Sequence, residues 1–224
     1  MCFDTPSFKS LTFAHRMDDR RYLLNLIQEG EHQQQDFKNR LAEACKLAKS
    51  VSAFANTYGG RLLIGVRDDG HLSGVRSEEE IFMMHQAAYK YCKPEASIKF
   101  DTYHIEGRTI VVATVPPSDK RPVCALDEEG KQRAYIRIAD ENIVASPVHL
   151  ALWRETQKPK GSVMTYDATV RQLLDAMQGR HTLNQIVRLS RLPRPKVITL
   201  LARLIRFGTA QWEYTDQQFL FSLA

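Results

Sequence analysis

The sequence predicts a mixed α/β protein of the α+β class, built from one larger and one smaller domain. Helical and strand-like hydrophobic patterns follow one another in an irregular order that is neither strictly alternating nor all β. Hydrophobic residues make up 43% of the 224 positions and charged residues 25%, a balance typical of a soluble chain with a sizeable core. A polar stretch at 158–162, KPKGS, separates two different patterns and predicts a linker.

The first helix is predicted to run from Met17 to Gly30. Its apolar residues recur one turn apart and form a single stripe, whereas the sixteen residues before it have no clear period and predict a loose arm. Residues 31–38 are typical of an extended segment. The cluster of three glutamines within them is too short to indicate a low-complexity tract.

The second helix is predicted over 39–60, where small and apolar residues share one face. It ends at Asn56 and the pair Gly59–Gly60. The following segment, 61–70, is apolar at nearly every position before its Asp-Gly turn. This pattern predicts a strand that is buried on both faces.

The rest of the larger domain is predicted to contain two strand pairs between two helices. Ser77 would cap the first of these helices, whose first turn is acidic, as the helix dipole favours. Turns are expected at Glu106–Gly107 and Glu129–Gly130. In chain order, the segments are a helix at 78–92, strands within 97–117, strands within 122–140 and a helix at 146–157.

The smaller domain shows three helical patterns followed by two strand patterns. Thr182 would cap the second helix, and Pro195 lies in the first turn of the third helix, where proline is tolerated. Three helices and a hairpin are the outline of a small winged helix-turn-helix domain. We therefore expect domains at 17–157 and 163–224. The helices are predicted at 168–177, 183–190 and 194–208, with the strands meeting at Thr215–Asp216.

The charge of the chain favours an anionic partner. The net charge is +5 and the isoelectric point is about 9.0, which points to DNA or RNA. No run approaches the ~20 apolar residues of a membrane span, and no secretory signal pattern is present. The four cysteines lie far apart, which argues against a zinc site or a disulfide framework. We therefore expect a cytoplasmic protein without membrane contact. The cysteines are Cys2, Cys45, Cys92 and Cys124.

The run from Ser52 to Val75 carries a specific motif. A helix ending in AFAN, a GG turn, an apolar LLIGV strand and a DDG turn follow one another. EHQQQDFK upstream and AYIRIADENIVAS downstream complete the pattern. In these features the chain resembles the Schlafen AlbA-2 family in its bacterial, DNA-binding form, over roughly Met17 to Trp153. The resemblance implies a mixed α/β domain that binds nucleic acid.

By this resemblance, three carboxylates match those with which some Schlafen relatives cleave RNA. Mg²⁺ or Mn²⁺ held by them would activate water beside a phosphate, and no other cofactor is required. However, two of the acids are five positions apart, which places them on opposite faces of a regular strand. The second acid is also shorter than the glutamate of the nucleases. The alternative is that these acids are solvated or pair with Lys38, Arg40 or Arg61. The three carboxylates are Glu31, Asp36 and Asp68.

A ligand could also be held where the second helix ends, by Asn56, Gly59 and Gly60. Asn56 could equally cap the helix, and two glycines fit a tight reversal of the chain. The P-loop motif that cradles phosphates is missing from the sequence. Nucleotide binding at this turn is therefore only an alternative function.

Basic residues are the predicted nucleic-acid contacts, since Lys and Arg that meet phosphates provide most of the affinity. Arg137 alternates with Tyr135, and the two could clamp a phosphate and stack a base. Alternatively, Tyr135 lies in the core and Arg137 pairs with Asp140 or Glu141. The basic side chains of 194–208 lie largely off its apolar stripe, as expected of a helix that enters the major groove. The predicted contacts are Lys38, Arg61 and Arg137 in the larger domain and Arg191, Arg194, Lys196 and Arg203 in the smaller domain.

Together these patterns predict a DNA-binding protein that regulates transcription, acting as a homodimer. A divalent-metal-dependent ribonuclease is the alternative from the enzyme class. A module for protein interactions is the second alternative. Binding that weakens steeply with salt would indicate phosphate contacts, whereas metal-stimulated cleavage would indicate the enzyme.

Overall fold

The computed structural model describes residues 8–40, 43–75, 78–127, 129–159 and 166–224. Cys2, the predicted cap Ser77 and most of the predicted linker lie outside these residues. The chain forms two compact units, Met1–Ile143 and Val144–Ala224. Both units contain helices and strands, so the mixed class that the sequence predicts is confirmed.

In its described part, the first unit has three helices and two sheets. Helix α1 begins at Phe8 and not at Met17, so the predicted loose arm is helical from Phe8 onward. The sequence pattern missed this part because the apolar stripe begins only at Tyr22. The helices are α1 (Phe8–Glu29), α2 (Ala44–Asn56) and α3 (Glu78–Tyr89). The strands are β1 (Gln35–Lys38), β2 (Gly60–Ile64), β3 (Cys92–Lys93), β4 (Lys99–Ile105), β5 (Arg108–Val115), β6 (Cys124–Leu126), β7 (Gln132–Ile138) and β8 (Glu141–Val144).

The first sheet has the strand order β1-β2-β5-β4. Strand β1 runs parallel to β2, and the other neighbours are antiparallel. Leu62 and Ile64 of β2 pack in the core that also contains α2 and α3, whereas Leu63 packs with side chains of α1. All three side chains are fully buried, which confirms that β2 is covered on both faces.

The second sheet has the strand order β3-β6-β7-β8. The predicted strand pairs are confirmed as β4–β5 and β6–β7, both antiparallel. No sequence pattern predicted β3 or β8. Strand β3 has only two residues, and none of the residues of β8 is fully buried, so neither shows an apolar alternation.

The second unit is built around one apolar core with a small sheet beside it. The sheet is antiparallel, in the order β10-β11-β9. Its core contains Leu173, Ile186 and Leu201, all fully buried. The helices are α4 (Pro147–Thr156), α5 (Ala168–Asp175), α6 (Leu183–Ser190) and α7 (Arg194–Arg206), and the strands are β9 (His181–Thr182), β10 (Ala210–Thr215) and β11 (Gln218–Leu223).

Helix α4 packs on α7 and therefore belongs to the second unit. As a result, the two units divide upstream of the predicted linker. That residues 17–157 and 163–224 form the two domains stays a prediction.

Local signals explain where the elements of the second unit begin. The Thr182 hydroxyl accepts a hydrogen bond from the Gln185 N–H (3.3 Å), and the Gln185 side chain accepts one from the Thr182 N–H (2.8 Å). This capping box confirms Thr182 as the cap of α6.

Across the described ranges, no helix combines the length and the apolar character that a membrane crossing needs.

Candidate nucleic-acid interface

Glu31 and Asp36 lie side by side at the start of β1. The residues between them form a tight turn, in which the backbones of His32 and Gln35 exchange two hydrogen bonds (3.0 and 3.1 Å). The turn brings the two acids together, whereas a regular strand would have separated them. The Glu31 carboxylate accepts a hydrogen bond from the Phe37 N–H (2.9 Å). Burial, and then the hydrogen bond with Asp36, raise the pKa of Glu31.

The carboxylate of Asp36 is already paired with two cations. Its side chain is buried, and one oxygen lies 2.8 Å from Lys38 Nζ. The other oxygen lies 3.5 Å from Arg137 Nη2. Asp36, and neither Asp140 nor Glu141, is therefore the acidic partner of Arg137. A buried carboxylate needs such partners, so this arrangement has a structural explanation.

Asp68 does not join this cluster. It is exposed in the turn that follows β2. No group of three or more His, Cys, Asp or Glu side chains that could hold a metal occurs among the described residues. Mg²⁺ and Mn²⁺ prefer several oxygen ligands, whereas Asp36 faces two basic side chains. The metal site predicted at Glu31, Asp36 and Asp68 therefore does not fit this structure.

Arg137 is buried, with 2% of its surface exposed, and no phosphate can reach it in this structure. Its guanidinium donates hydrogen bonds to Asn142 Oδ1 (3.0 Å) and the Gln35 carbonyl (3.3 Å). It also lies over the ring of Phe54, 5.2 Å from the ring centroid. Tyr135 is buried in the core as well. The prediction that Arg137 and Tyr135 clamp a phosphate and stack a base is therefore wrong.

Lys38 and Arg61, the other basic residues predicted for the first unit, are engaged in internal pairs. Besides its contact with Asp36, Lys38 Nζ donates to the Phe37 carbonyl (2.9 Å). Arg61 Nε donates to Gln35 Oε1 (2.7 Å), and its Nη2 pairs with Glu29. These contacts hold β1, β2 and α1 together. Because of these internal partners, Lys38 and Arg61 have fewer N–H groups available for an external ligand.

Gln35 is a central residue that the sequence did not single out. Its side chain is fully buried, and its Nε2 donates to the carbonyls of Leu26 and Gly30 at the end of α1. Its Oε1 accepts the hydrogen bond from Arg61. The run of three glutamines was the available signal, but composition alone does not distinguish a buried amide from an exposed one.

Asn56 is a structural residue, so the predicted ligand contact is wrong at this position. Its Nδ2 donates to the carbonyls of Val123 (2.8 Å) and Tyr135 (2.9 Å). Its Oδ1 accepts from the Val123 N–H (2.8 Å). The buried amide ties the end of α2 to the second sheet, and its hydrogen-bonding groups are used in doing so.

Gly59 and Gly60 allow the chain to reverse against its neighbours. Gly59 has a φ of +74°, and a Cβ there would lie 2.8 Å from the Val115 carbonyl oxygen. A Cβ on Gly60 would overlap the Phe54 ring. Both glycines also line a cavity of about 330 Å³ at the edge of the first sheet. Ligand contact at these two positions stays a prediction.

The second unit presents four exposed basic residues around the connection between α6 and α7. Arg191 ends α6 in the left-handed conformation, with a φ of 54°. The Arg194 guanidinium is hydrogen-bonded to Asn184. Across the ranges that the structure describes, none of the four forms an ion pair. We call these four residues the α6–α7 basic surface: Arg188, Arg191, Arg194 and Lys196.

Arg203, also predicted as a contact, instead holds α7 to α4. Its Nε lies 3.4 Å from a Glu155 oxygen, and Lys158 Nζ lies 2.5 Å from the other oxygen. Burial acts to raise the pKa of Glu155, but Lys158 and Arg203 lower it overall. Arg203 is therefore paired with an acid of its own unit, which makes it a weaker candidate for a phosphate contact.

Comparison with known proteins shows one family match and distant similarities to several solved structures. Residues 31–146 match the family model described as Schlafen, AlbA_2. The crystal structure of the DIP2311 protein from Corynebacterium diphtheriae is 18% identical, with a TM-score of 0.45 over 84% of this chain and 34% of that protein. The chain thus spans about a third of its length. The comparison with curated proteins gives no match.

The second similar structure was determined in solution. It is the N-terminal domain of a protein from Nitrosomonas europaea described as related to the ATP-dependent DNA helicase RecG. It is 16% identical, with a TM-score of 0.37 over 64% of this chain and 95% of that domain. With TM-scores below 0.5, neither structure identifies the fold or the function.

The family match covers more than half of the chain. It runs from Glu31, in the turn before β1, to Ser146, the N-cap of α4, and includes both sheets of the first unit. It also contains the AFAN, GG and DDG elements on which the resemblance was based. This chain therefore belongs to the Schlafen AlbA_2 family.

Proposed function

We propose that this protein binds nucleic acid and acts as a DNA-binding transcriptional regulator, with the second unit as its DNA-contacting part. The observation that carries the proposal is the α6–α7 basic surface, whose four cations are exposed. Cations that meet phosphates supply most of the affinity of such proteins for DNA. The association of the AlbA_2 family with nucleic acid supports the proposal.

The order of elements in the second unit supports a winged helix-turn-helix arrangement. Helix α5 is followed by β9, α6, α7 and the β10–β11 hairpin. In this arrangement α7 is the recognition helix, and its first turn enters the major groove. Arg194 and Lys196 lie in that turn, so they would meet base edges or the phosphates that border the groove.

The β10–β11 hairpin would contribute little to phosphate binding. From Ala210 to the last residue the chain contains no Lys or Arg, and its two acids there are Glu213 and Asp216. Glu213 pairs with Arg180 (3.1 Å). In this proposal, therefore, the phosphate contacts of the second unit are concentrated on the α6–α7 basic surface.

A double substitution in the full chain tests the proposal. Arg191→Ala with Lys196→Ala should weaken binding to a fluorescein-labelled duplex and reduce the dependence of log Kd on log salt by about 2 units, since each lost phosphate contact removes ~0.9. Arg180→Ala, which breaks a pair elsewhere in the same unit, is the control and should leave the salt dependence nearly unchanged.

Two results would contradict the proposal. Affinity that does not depend on salt, or that the double substitution leaves unchanged, would favour the protein-interaction module instead.

The expected homodimer belongs to the same proposal, and light scattering of the chain with and without a duplex tests it.

A further inference from the structure

Several ring-containing side chains line the cavity beside the Gly59–Gly60 turn. It lies where β1 and β2 begin and β5 ends, and its volume is about 330 Å³. This is within the usual range for ligand sites, about 300–1,000 Å³. We call it the tyrosine cavity, after Tyr22 and Tyr58, which line it. The cavity is also lined by His32, Arg61, Pro116 and Pro117.

The tyrosines of this cavity are exposed although their surroundings are well fixed. Tyr58 is 68% exposed, whereas aromatic side chains usually bury their rings. The Tyr58 carbonyl accepts a hydrogen bond from Gln34 Nε2 (3.1 Å), and the next residue, Gly59, passes close to Val115. The backbone that presents the ring is therefore held in place, and the ring itself is free to stack on a ligand.

A row of polar and basic side chains extends across the sheet from the cavity. Thr114 lines the cavity and is directly opposite Arg61 on one side and Lys99 on the other. Cross-strand partners project from the same face of a sheet, so these three side chains share one face. Glu29 pairs with Arg61, whereas Lys99 is exposed and forms no ion pair among the described residues.

A second cation lies in the loop that continues from the cavity wall. Lys120 is exposed and follows Pro117 by three residues. The loop is anchored by a hydrogen bond from the Ser118 N–H to the Ala55 carbonyl (2.7 Å), and the Ser118 hydroxyl accepts one from the Lys120 N–H (3.1 Å). Lys99 and Lys120 thus lie on a strand and a loop that adjoin the cavity, and they are the candidate partners for phosphates attached to a ring within it.

We infer that the tyrosine cavity accepts one unstacked nucleobase, carried by a single-stranded nucleic acid or by a free nucleotide. Stacking on tyrosine suits every base because each has a π-face, and neighbouring cations suit the phosphates. A protein ligand would use the rings but would have less need of Lys99 and Lys120. This inference concerns the first unit and does not depend on the α6–α7 basic surface.

Tyr58→Ala in the full chain tests the inference, with a fluorescein-labelled oligothymidylate as probe. The affinity should fall about 5- to 150-fold, the loss typical of one base stack, while Tyr58→Trp should bind like the parent. Phe82→Ala is the matched control, because Phe82 is an equally exposed ring (61%) on α3 of the same unit and does not line the cavity. Lys99→Ala should reduce the salt dependence by about 0.7 units.

Competition with unlabelled dTMP identifies the source of the base. Displacement of the labelled strand by dTMP indicates a site for free nucleotides, and its absence at millimolar dTMP indicates a site for a base within a strand. The inference is overturned if the parent does not bind the strand, or if Tyr58→Ala binds it as the parent does. It is also overturned if Phe82→Ala loses as much affinity as Tyr58→Ala.

The same measurement in the Arg191→Ala, Lys196→Ala background separates this inference from the proposed DNA contacts. The loss caused by Tyr58→Ala should persist there. If the loss vanishes in that background, the strand binds through the second unit and the tyrosine cavity is not a site. Duplex binding by the α6–α7 basic surface would still stand in that case.

Discussion

The imidazole of His149 meets the indole of Trp212 edge to face, with 4.5 Å between the ring centroids. Phe219 lies on another side of the imidazole, at 4.8 Å. Nδ1 of His149 is hydrogen-bonded to the Ser146 hydroxyl (2.7 Å), whereas no residue that the structure describes offers a hydrogen-bond partner to the buried Nε2. Burial in this apolar setting lowers the pKa of His149 to about 4. The ring is therefore neutral in the native protein.

Acid is expected to destabilise the second unit through His149. The ordinary pKa is 6.5 and the native pKa is about 4, so the unfolded chain binds a proton between these values and the native unit does not. Stability therefore falls as the pH drops below about 6.5, by about 2 kcal/mol between pH 7 and pH 5. Trp153 and Trp212 are the two tryptophans of the chain and both lie in this unit, so urea unfolding followed by tryptophan fluorescence measures the effect.

The variant His149→Phe separates this effect from general acid denaturation. It keeps a ring at the position but has no group that titrates, so its unfolding free energy should be nearly constant between pH 7 and pH 5. A variant as pH-sensitive as the parent would show that His149 is not the cause.

Asn56→Ala is expected to destabilise the first unit by about 3 kcal/mol. The substitution leaves the Val123 N–H and the carbonyls of Val123 and Tyr135 buried without their side-chain partner, and each such group costs ~1–3 kcal/mol. Asn39→Ala is the control, because Asn39 is exposed in the same unit. Urea unfolding followed by far-UV circular dichroism gives both values. A change below about 0.5 kcal/mol for Asn56→Ala would contradict the structural role.

The elements that could be predicted from the sequence are those whose signal lies within a few residues. The three apolar residues of β2 indicate a strand covered on both faces, wherever the covering helices come from. The capping box of Thr182 and Gln185 marks the start of α6 for the same reason, since both partners lie within one turn. The sequence likewise identified the family from the contiguous run Ser52–Val75.

The site could not be predicted because its partners are distant in the chain. Asp36 meets Arg137 across the interior, and Asn56 bonds to Val123 and Tyr135, but no periodicity connects these positions. Tyr135 and Arg137 have the alternation of an exposed binding strand, yet both are buried because α2 covers that part of β7. Residue types give the available chemistry, whereas burial decides whether a ligand can reach it.

Removing the acid of the buried pair should cost more than removing both partners. Asp36→Ala leaves the Arg137 guanidinium buried without its carboxylate, which should lower the free energy of unfolding by about 3 kcal/mol or more. Replacing both residues, as Asp36→Ala with Arg137→Met, removes the charge as well and should recover part of this loss. Urea unfolding of the two single variants and the double variant measures the coupling. Strictly additive losses would mean that the two side chains do not depend on each other.

Addition of millimolar Mn²⁺ or Mg²⁺ is expected to leave the thermal midpoint of the parent unchanged. A cation bound to the native state at 100 times its Kd would stabilise it by about 2.7 kcal/mol, which a melting curve would detect. No such gain is expected, since Lys38 and Arg137 occupy the two oxygens of Asp36 and Asp68 lies outside the cluster. The melting curve of Lys38→Ala is compared with that of the parent, because this substitution frees one of these oxygens for an added cation. A rise in the midpoint of the parent that is lost in Asp36→Asn would show that the ion displaces the internal pair. Asp36 would then be a metal ligand after all.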